Sequence, residues 1–264
     1  MQTSDIITVV RDPKHVLGKI FSINSDGSVR KDTAVSVSVG EAIQHYVPDN
    51  EALKKLLADV SEDPHAAIIN SAFPLIPIGT PFLILSEKEL AKKKIERIDT
   101  SVTWPVNVRY QGKDWPALGR FKEHTAPSTW LLLDRDIDDS TPERYATLNY
   151  DDWLDEVDKL LPGVLQCARL RAHSSSARVS YQGKPVGGGN GHTWIQVDDA
   201  SDINRLRTIV KARALVLGMS WEKPRHAKKT GEVVGSGTVT IVDYSVFMTG
   251  RLVFVGKPEV QDAI

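Results

Sequence analysis

Apolar residues recur along the chain in short runs separated by charged turns, and their spacing predicts alternating strands and helices. Ile6-Ile7-Thr8-Val9-Val10 and Ala34-Val35-Ser36-Val37-Ser38-Val39 read as strands, the second by strict alternation. Residues 51–60 place Leu53, Leu56, Leu57 and Val60 at helical spacing, which predicts a short amphipathic helix. Residues 66–73 and 81–85 are apolar and punctuated by prolines, so they predict buried strands or their connections. Residues 87–97 predict a charged helix with little apolar face.

The second half is more regular. Trp130-Leu131-Leu132-Leu133-Asp134-Arg135-Asp136 predicts a buried strand that ends in charge. Residues 151–161 predict a helix with Trp153, Leu154, Val157, Leu160 and Leu161 inward, closed by Pro162-Gly163. Residues 191–197 predict a strand. Residues 202–217 predict a helix on Ile203, Leu206, Ile209, Val210 and Leu217, stopped by Gly218. Residues 238–243 and 251–255 predict two further strands. From residue 129 the order is strand, helix, strand, helix, strand, strand, which predicts an α+β sandwich with a mainly antiparallel sheet.

Composition narrows the class. The chain has 264 residues, 41% hydrophobic and 25% charged, enough for one large domain or two tightly joined subdomains and too apolar for global disorder. No apolar run reaches the length of a membrane span, and the first residues do not have the form of a signal peptide, so no membrane partner is expected. The single cysteine, Cys167, excludes an internal disulfide and a Cys-rich zinc ribbon, and a reducing cytoplasm is the expected setting. A net charge of -1 excludes a globally basic nucleic-acid coat but leaves room for a local basic groove. The chain ends a few residues past its last predicted strand, as a module of a longer polypeptide would.

Five stretches carry candidate chemistry. Asp134 and Asp136 lie two apart past an apolar run, on one face of the predicted strand, and paired carboxylates favour a hard divalent cation. A solvated strand end is the alternative there. Thr240-Ile241-Val242-Asp243 delivers a third acid, or a simple turn residue. Ser174, Ser175 and Ser176, with Arg178, could cradle phosphate oxygens or form a plain loop. The glycine cluster 187–191 leads into His192 at a strand start, which suits either phosphate binding or a hairpin loop. Arg251 and Lys257 flank the last strand. Basic residues then cluster from Arg205 to Lys229, including Arg213, Lys223, Arg225 and Lys228, with Trp221 among them. They make either a nucleic-acid track or a solvated helix face followed by a loop.

Together these stretches resemble the archaeo-eukaryotic primase superfamily, and within it the primase-polymerases of phages and plasmids. The resemblance rests on Leu132-Leu133-Asp134-Arg135-Asp136, on Ser174-Ser175-Ser176 with Gly191-His192-Thr193-Trp194, and on Ile241-Val242-Asp243, and it covers residues 125–260. The family's Ser-any-His is split here, Ser176 and His192 standing sixteen positions apart, with His173 as the other candidate histidine. No zinc-binding cysteine set, as some relatives carry, is present.

The resemblance implies a primase-like catalytic fold, an RRM-like half with flanking helices plus an N-terminal α/β unit. Residues 1–100 would form the α/β subdomain and residues 101–264 the catalytic subdomain, or the two would make one compact unit. It implies primer synthesis or extension from nucleoside triphosphates on a single-stranded DNA template, with a helicase domain or subunit as a further partner. Asp134, Asp136 and Asp243 would hold Mg²⁺ or Mn²⁺, and Ser174, Ser175, Ser176, Arg178, His192, Arg251 and Lys257 would bind the nucleotide. Arg205, Arg213, Lys223, Arg225, Lys228 and Lys229 would follow the nucleic acid. The competing expectation is an inactive primase-like module that binds single-stranded DNA or an origin. A rolling-circle nicking enzyme is disfavoured, because the chain has no His-any-His pair.

Overall fold

A computed structural model describes residues 5–33, 37–95, 103–175, 177, 179–186, 191–227 and 230–261. The architecture is mixed α+β with mostly antiparallel sheets. The largest sheet has seven strands, in the order Leu252–Val253, Ala66–Ile69, Ile6–Arg11, Val39–Tyr46, Phe82–Leu85, Lys113–Gly119 and Val106–Tyr110. Every neighbouring pair in it is antiparallel except Phe82–Leu85 with Lys113–Gly119. It thus draws strands from both sides of residue 100 and from near the C-terminus.

A second sheet has three antiparallel strands, with Gly191–Gln196 between Trp130–Asp134 and Arg169–His173. The helices Tyr150–Leu160 and Ile203–Val216 share its core. One apolar cluster joins the sheets: Ile7, Val9 and Ile68 from the large sheet, Leu131, Leu132 and Trp194 from the small one, and Leu53 and Leu57 from the helix Asn50–Ser61. Ile7 and Val9 face that cluster, while Val10 belongs to a second one on the other face with Phe73 and Phe82. This period of two explains why the run from Ile6 to Val10 is buried throughout. Among the described residues no helix is long and apolar enough to cross a membrane.

Several expectations need correction. Of the alternating run 34–39, Val37 and Ser38 precede the strand that begins at Val39, and residues 34–36 lie outside the described ones. The strand is Val39–Tyr46, which its polar residues disguise; buried Gln44 is held there by the Phe73 amide and by the Phe73 and Ile76 carbonyls. The basic segment after Ser220 is a hairpin, Ser220–His226 against Val233–Thr240, rather than a loop. The strand from Trp130 ends at Asp134, so Asp136 is not on a strand face with it. Past the strand, the Arg135 guanidinium donates to the Tyr145 and Leu148 carbonyls. The last strand of the large sheet is only Leu252–Val253, and Leu217, expected inward, is exposed.

Trp153 links the helix Tyr150–Leu160 to the chain just before Asp243, donating from Nε1 to the Ile241 carbonyl over 2.8 Å. Trp153→Phe removes that buried donor and should cost about 1–3 kcal/mol of stability. A urea titration checks this; an unchanged midpoint would show that the bond contributes nothing.

Candidate active site

Strand direction collects the candidate residues at one end of the three-stranded sheet. Gly191–Gln196 runs antiparallel to both neighbours, so Trp130–Asp134 and Arg169–His173 run alike and finish at the same end. Asp134 lies opposite His192, and His192 lies opposite Ala172. Directly opposed residues share a face, with Cβ atoms about 4.5–5.5 Å apart. Asp134, His192 and Ala172 therefore form a row, with Ser174 and Ser175 just past its end.

Asp243 joins the row from the other side. Its amide donates to the Asp134 carbonyl over 2.8 Å. Ile241 and Val242 are buried behind it, so the third acid is delivered by a pinned segment. The strand itself stops at Thr240, and Asp243 caps the short turn Tyr244–Phe247. There its carboxylate accepts from the Ser245 amide at 2.8 Å and from Ser245 Oγ at 2.9 Å.

Electrostatics show how close the acids are. Burial, then the charges of Asp243 and Asp136, push the Asp134 carboxyl up to about 7. Water still reaches a quarter of its side chain. His192 is pushed down to about 4, first by burial and then by the nearby Lys19 ammonium. Its Nε2 lies 3.8 Å from Asp134 Oδ1, too far for a hydrogen bond, and a neutral imidazole makes no ion pair. His192 Nδ1 is buried with no hydrogen-bond partner among the described residues. Lys223, on the hairpin, reaches back to Asp138 and stands 3.7 Å from Asp136.

These three carboxylates suit a cation chemically: hard oxygen donors, mutual repulsion, and one acid raised by burial and then by its neighbours. Among the described residues no three His, Cys, Asp or Glu side chains are placed so that they could hold a metal ion together.

Beside the row opens a cleft of about 790 Å³. Its polar lining includes Lys54, Arg171, His173, Ser174, Ser175 and Lys257. Ser175 is buried and its Oγ has no partner among the described residues. Two close approaches set one wall. A Cβ on Gly256 would meet the Asp63 and Ala66 carbonyl oxygens at 2.5 and 2.7 Å, and one on Gly18 would meet the Lys257 carbonyl oxygen at 2.7 Å.

Other candidates lie elsewhere. Arg251 is exposed and stands beside Arg120, whose guanidinium is pushed down by burial and by Arg251; neither lines the cleft. Arg205 is paired with Asp202, and Arg213 donates to the Lys159 carbonyl. Arg225 lies over Gly237 on the hairpin, whereas Lys223 is turned to the acids. Trp221 packs on the core and stacks with Tyr145, ring centroids 5.8 Å apart. Ser176, Arg178, Lys228 and Lys229 lie outside the described residues, as do 187–190 of the glycine cluster.

Sequence reasoning missed Lys19, Lys31 and the cleft residues Lys54 and Arg171. Lone lysines on a short ribbon carry no motif; only the fold brings them near the acids. No family model, curated protein or solved structure matches the chain.

Asp134 yields a pH-dependent prediction for the metal-free protein. Its folded value, about 7, lies above the ordinary carboxylate value, so ionisation costs stability fully above pH 7 and not at all below about pH 4. Asp134→Asn should therefore raise the melting temperature at pH 8 and leave it unchanged at pH 4. The gain should be about 1–2 kcal/mol, or roughly 2–8 °C, allowing for the water that reaches the side chain. Melting curves across pH with a chelator present check it, and a gain independent of pH would contradict it.

Proposed function

We propose that the protein is a template-directed nucleotidyltransferase that makes or extends primers on single-stranded DNA. In this reading its α+β architecture is of the primase-polymerase type, an RRM-like half set against an N-terminal α/β unit. The carrying observation is that Asp243 is pinned to the Asp134 carbonyl, with Asp136 acting on the same carboxyl, at the sheet end that also holds His192, Ser174 and Ser175, beside an open cleft. The setting proposed is the cytoplasm, in replication of a phage, plasmid or other mobile element. A helicase domain or subunit is the natural partner, because priming needs an exposed strand.

The acids would hold Mg²⁺ or Mn²⁺. When bound, such ions activate a 3′-hydroxyl and stabilise the leaving pyrophosphate. The rest falls to the chain's own groups. Ser174, Ser175 and Lys257 bind the triphosphate from the cleft side, joined on sequence grounds by Ser176 and Arg178. His192, held neutral by burial, offers an N–H to a phosphate oxygen without adding charge. Apolar walls such as Leu57 and Val255 exclude water around the reacting groups. Arg251, outside the cleft, is left out of the triphosphate set.

A second reading, a non-catalytic module for single-stranded or origin DNA, is favoured by two contacts. Lys223 partly neutralises Asp136 and Asp138, and Ser245 engages both carboxylate oxygens of Asp243. A priming assay with single-stranded DNA, labelled nucleotides and Mg²⁺ or Mn²⁺ separates the two. Asp134→Ala with Asp136→Ala should abolish incorporation and leave single-strand binding intact. Unchanged incorporation in that variant would sink the enzyme reading.

Template is proposed to run over the hairpin that carries Arg225. Arg225→Ala should lower affinity for single strands and flatten the log–log salt slope by about 0.7. Fluorescence anisotropy across a salt series reads this, and an unaltered slope would move the path elsewhere.

A further inference from the structure

A small ribbon outside the two main sheets carries two lysines toward the acids. It pairs Lys19–Ile23 with Val29–Thr33, antiparallel, and takes Glu259–Val260 alongside in parallel. In its register Lys19 lies opposite Thr33, and Phe21 opposite Lys31. Opposed residues share a face, and so do residues two apart, so Lys19 and Lys31 are diagonal neighbours on one face. Phe21, on that same face, is fully buried, so this is the side turned toward the protein.

Burial first, and then the neighbouring Lys31 ammonium, hold Lys19 below the usual lysine range. The Lys19 ammonium also acts on Asp134, Asp136 and His192, which sets this end of the ribbon near the acids. Gly18, next in the chain, lies against the Lys257 carbonyl, so the ribbon abuts the cleft wall that bears Lys257. Lys257 and Lys19 thus lead from the cleft toward the acids, with Lys31 beside Lys19 on the ribbon. Two ammonium groups held on one face repel, and an anion between them relieves that repulsion. A triphosphate concentrates several charges within a few ångströms, which matches two amines on neighbouring strand positions. A single strand spreads one charge per nucleotide and gives no reason to press two amines together.

We propose that Lys19 and Lys31 form a phosphate clamp for the polyphosphate of the incoming nucleoside triphosphate. The nucleotide rests on the nucleotidyltransferase reading; polyphosphate recognition rests on the lysines alone. The clamp would give residues 1–100 a direct part in the site, facing the acids from a separate sheet.

The test compares the full-length wild type with Lys19→Gln/Lys31→Gln and with Lys19→Arg/Lys31→Arg. Binding of a fluorescent nucleoside triphosphate is read by anisotropy, with competition by inorganic tripolyphosphate, and single-strand binding is read in parallel. The Gln pair should lose about 10-fold or more in affinity for both polyphosphates, and the Arg pair should keep it. Lys31→Gln alone, at an exposed residue, should lose about 3-fold and decides the matter if the Gln pair does not fold. Unchanged triphosphate affinity in the Gln variants of a protein that primes would overturn the clamp and leave the enzyme reading standing. Lysine-dependent tripolyphosphate binding by a protein that never primes would do the reverse. A wild type that ignores tripolyphosphate, or Gln variants that lose only single-strand affinity, would also overturn the clamp.

Discussion

The hydrogen bond from the Asp243 amide to the Asp134 carbonyl is the constraint on which the candidate centre depends. It stitches the chain leaving the hairpin to the end of a central strand, and it does so through the backbone alone. Carboxylates gathered this way push one another apart. With Asp134 pushed up to about 7, full ionisation there opposes folding by roughly 4 kcal/mol at most. The segment around the bond resists: Ile241, Val242, Val246 and Phe247 are all buried in the main cluster. At roughly 1.5–3 kcal/mol per buried apolar side chain, those four outweigh the repulsion. Hydrophobic burial on the flanks holds like charges at the centre.

Each acid is then stabilised by a different means. Asp134 sits deepest and takes up the strain as a raised proton affinity. Asp136 has the Lys223 ammonium near it, and Asp243 has two donors from Ser245. Cations reach the group from opposite parts of the chain, Lys19 from the N-terminal ribbon and Lys223 from the hairpin. The charge balance of the site is therefore a property of the whole fold, and no segment of the sequence contains it.

That distribution decides what could be read from sequence. Elements whose burial follows one period were legible: the strand at Ile6, the helix from Asn50 to Ser61 and the helix from Tyr150 to Leu160 all match their apolar spacing. Val39–Tyr46 was hidden because a buried Gln44, satisfied by backbone partners from the 73–76 turn, looks polar in isolation. The hairpin was hidden because Gly235, Ser236 and Gly237 in one strand and Pro224 in the other dilute any alternation. At the site, Asp134 and His192 proved to be cross-strand neighbours, although 58 positions separate them in sequence. The geometry assumed for Asp136 did not hold, since the strand ends at Asp134. Lys19 and Lys31 were out of reach, because what sets them apart is their company in space.

Gly18 and Gly256 make the wall of the cleft a seam of bare backbone. Their peptide planes touch the Lys257, Asp63 and Ala66 carbonyls with no side chain between. The gap between the C-terminal strap and its neighbours is thus gauged by the thickness of the main chain alone. A methyl group at either place acts as a shim: it lifts the strap that carries Lys257 and leaves every charged side chain in the sequence unchanged. The fit of this cleft to its occupant is therefore adjustable by residues that have no chemistry at all.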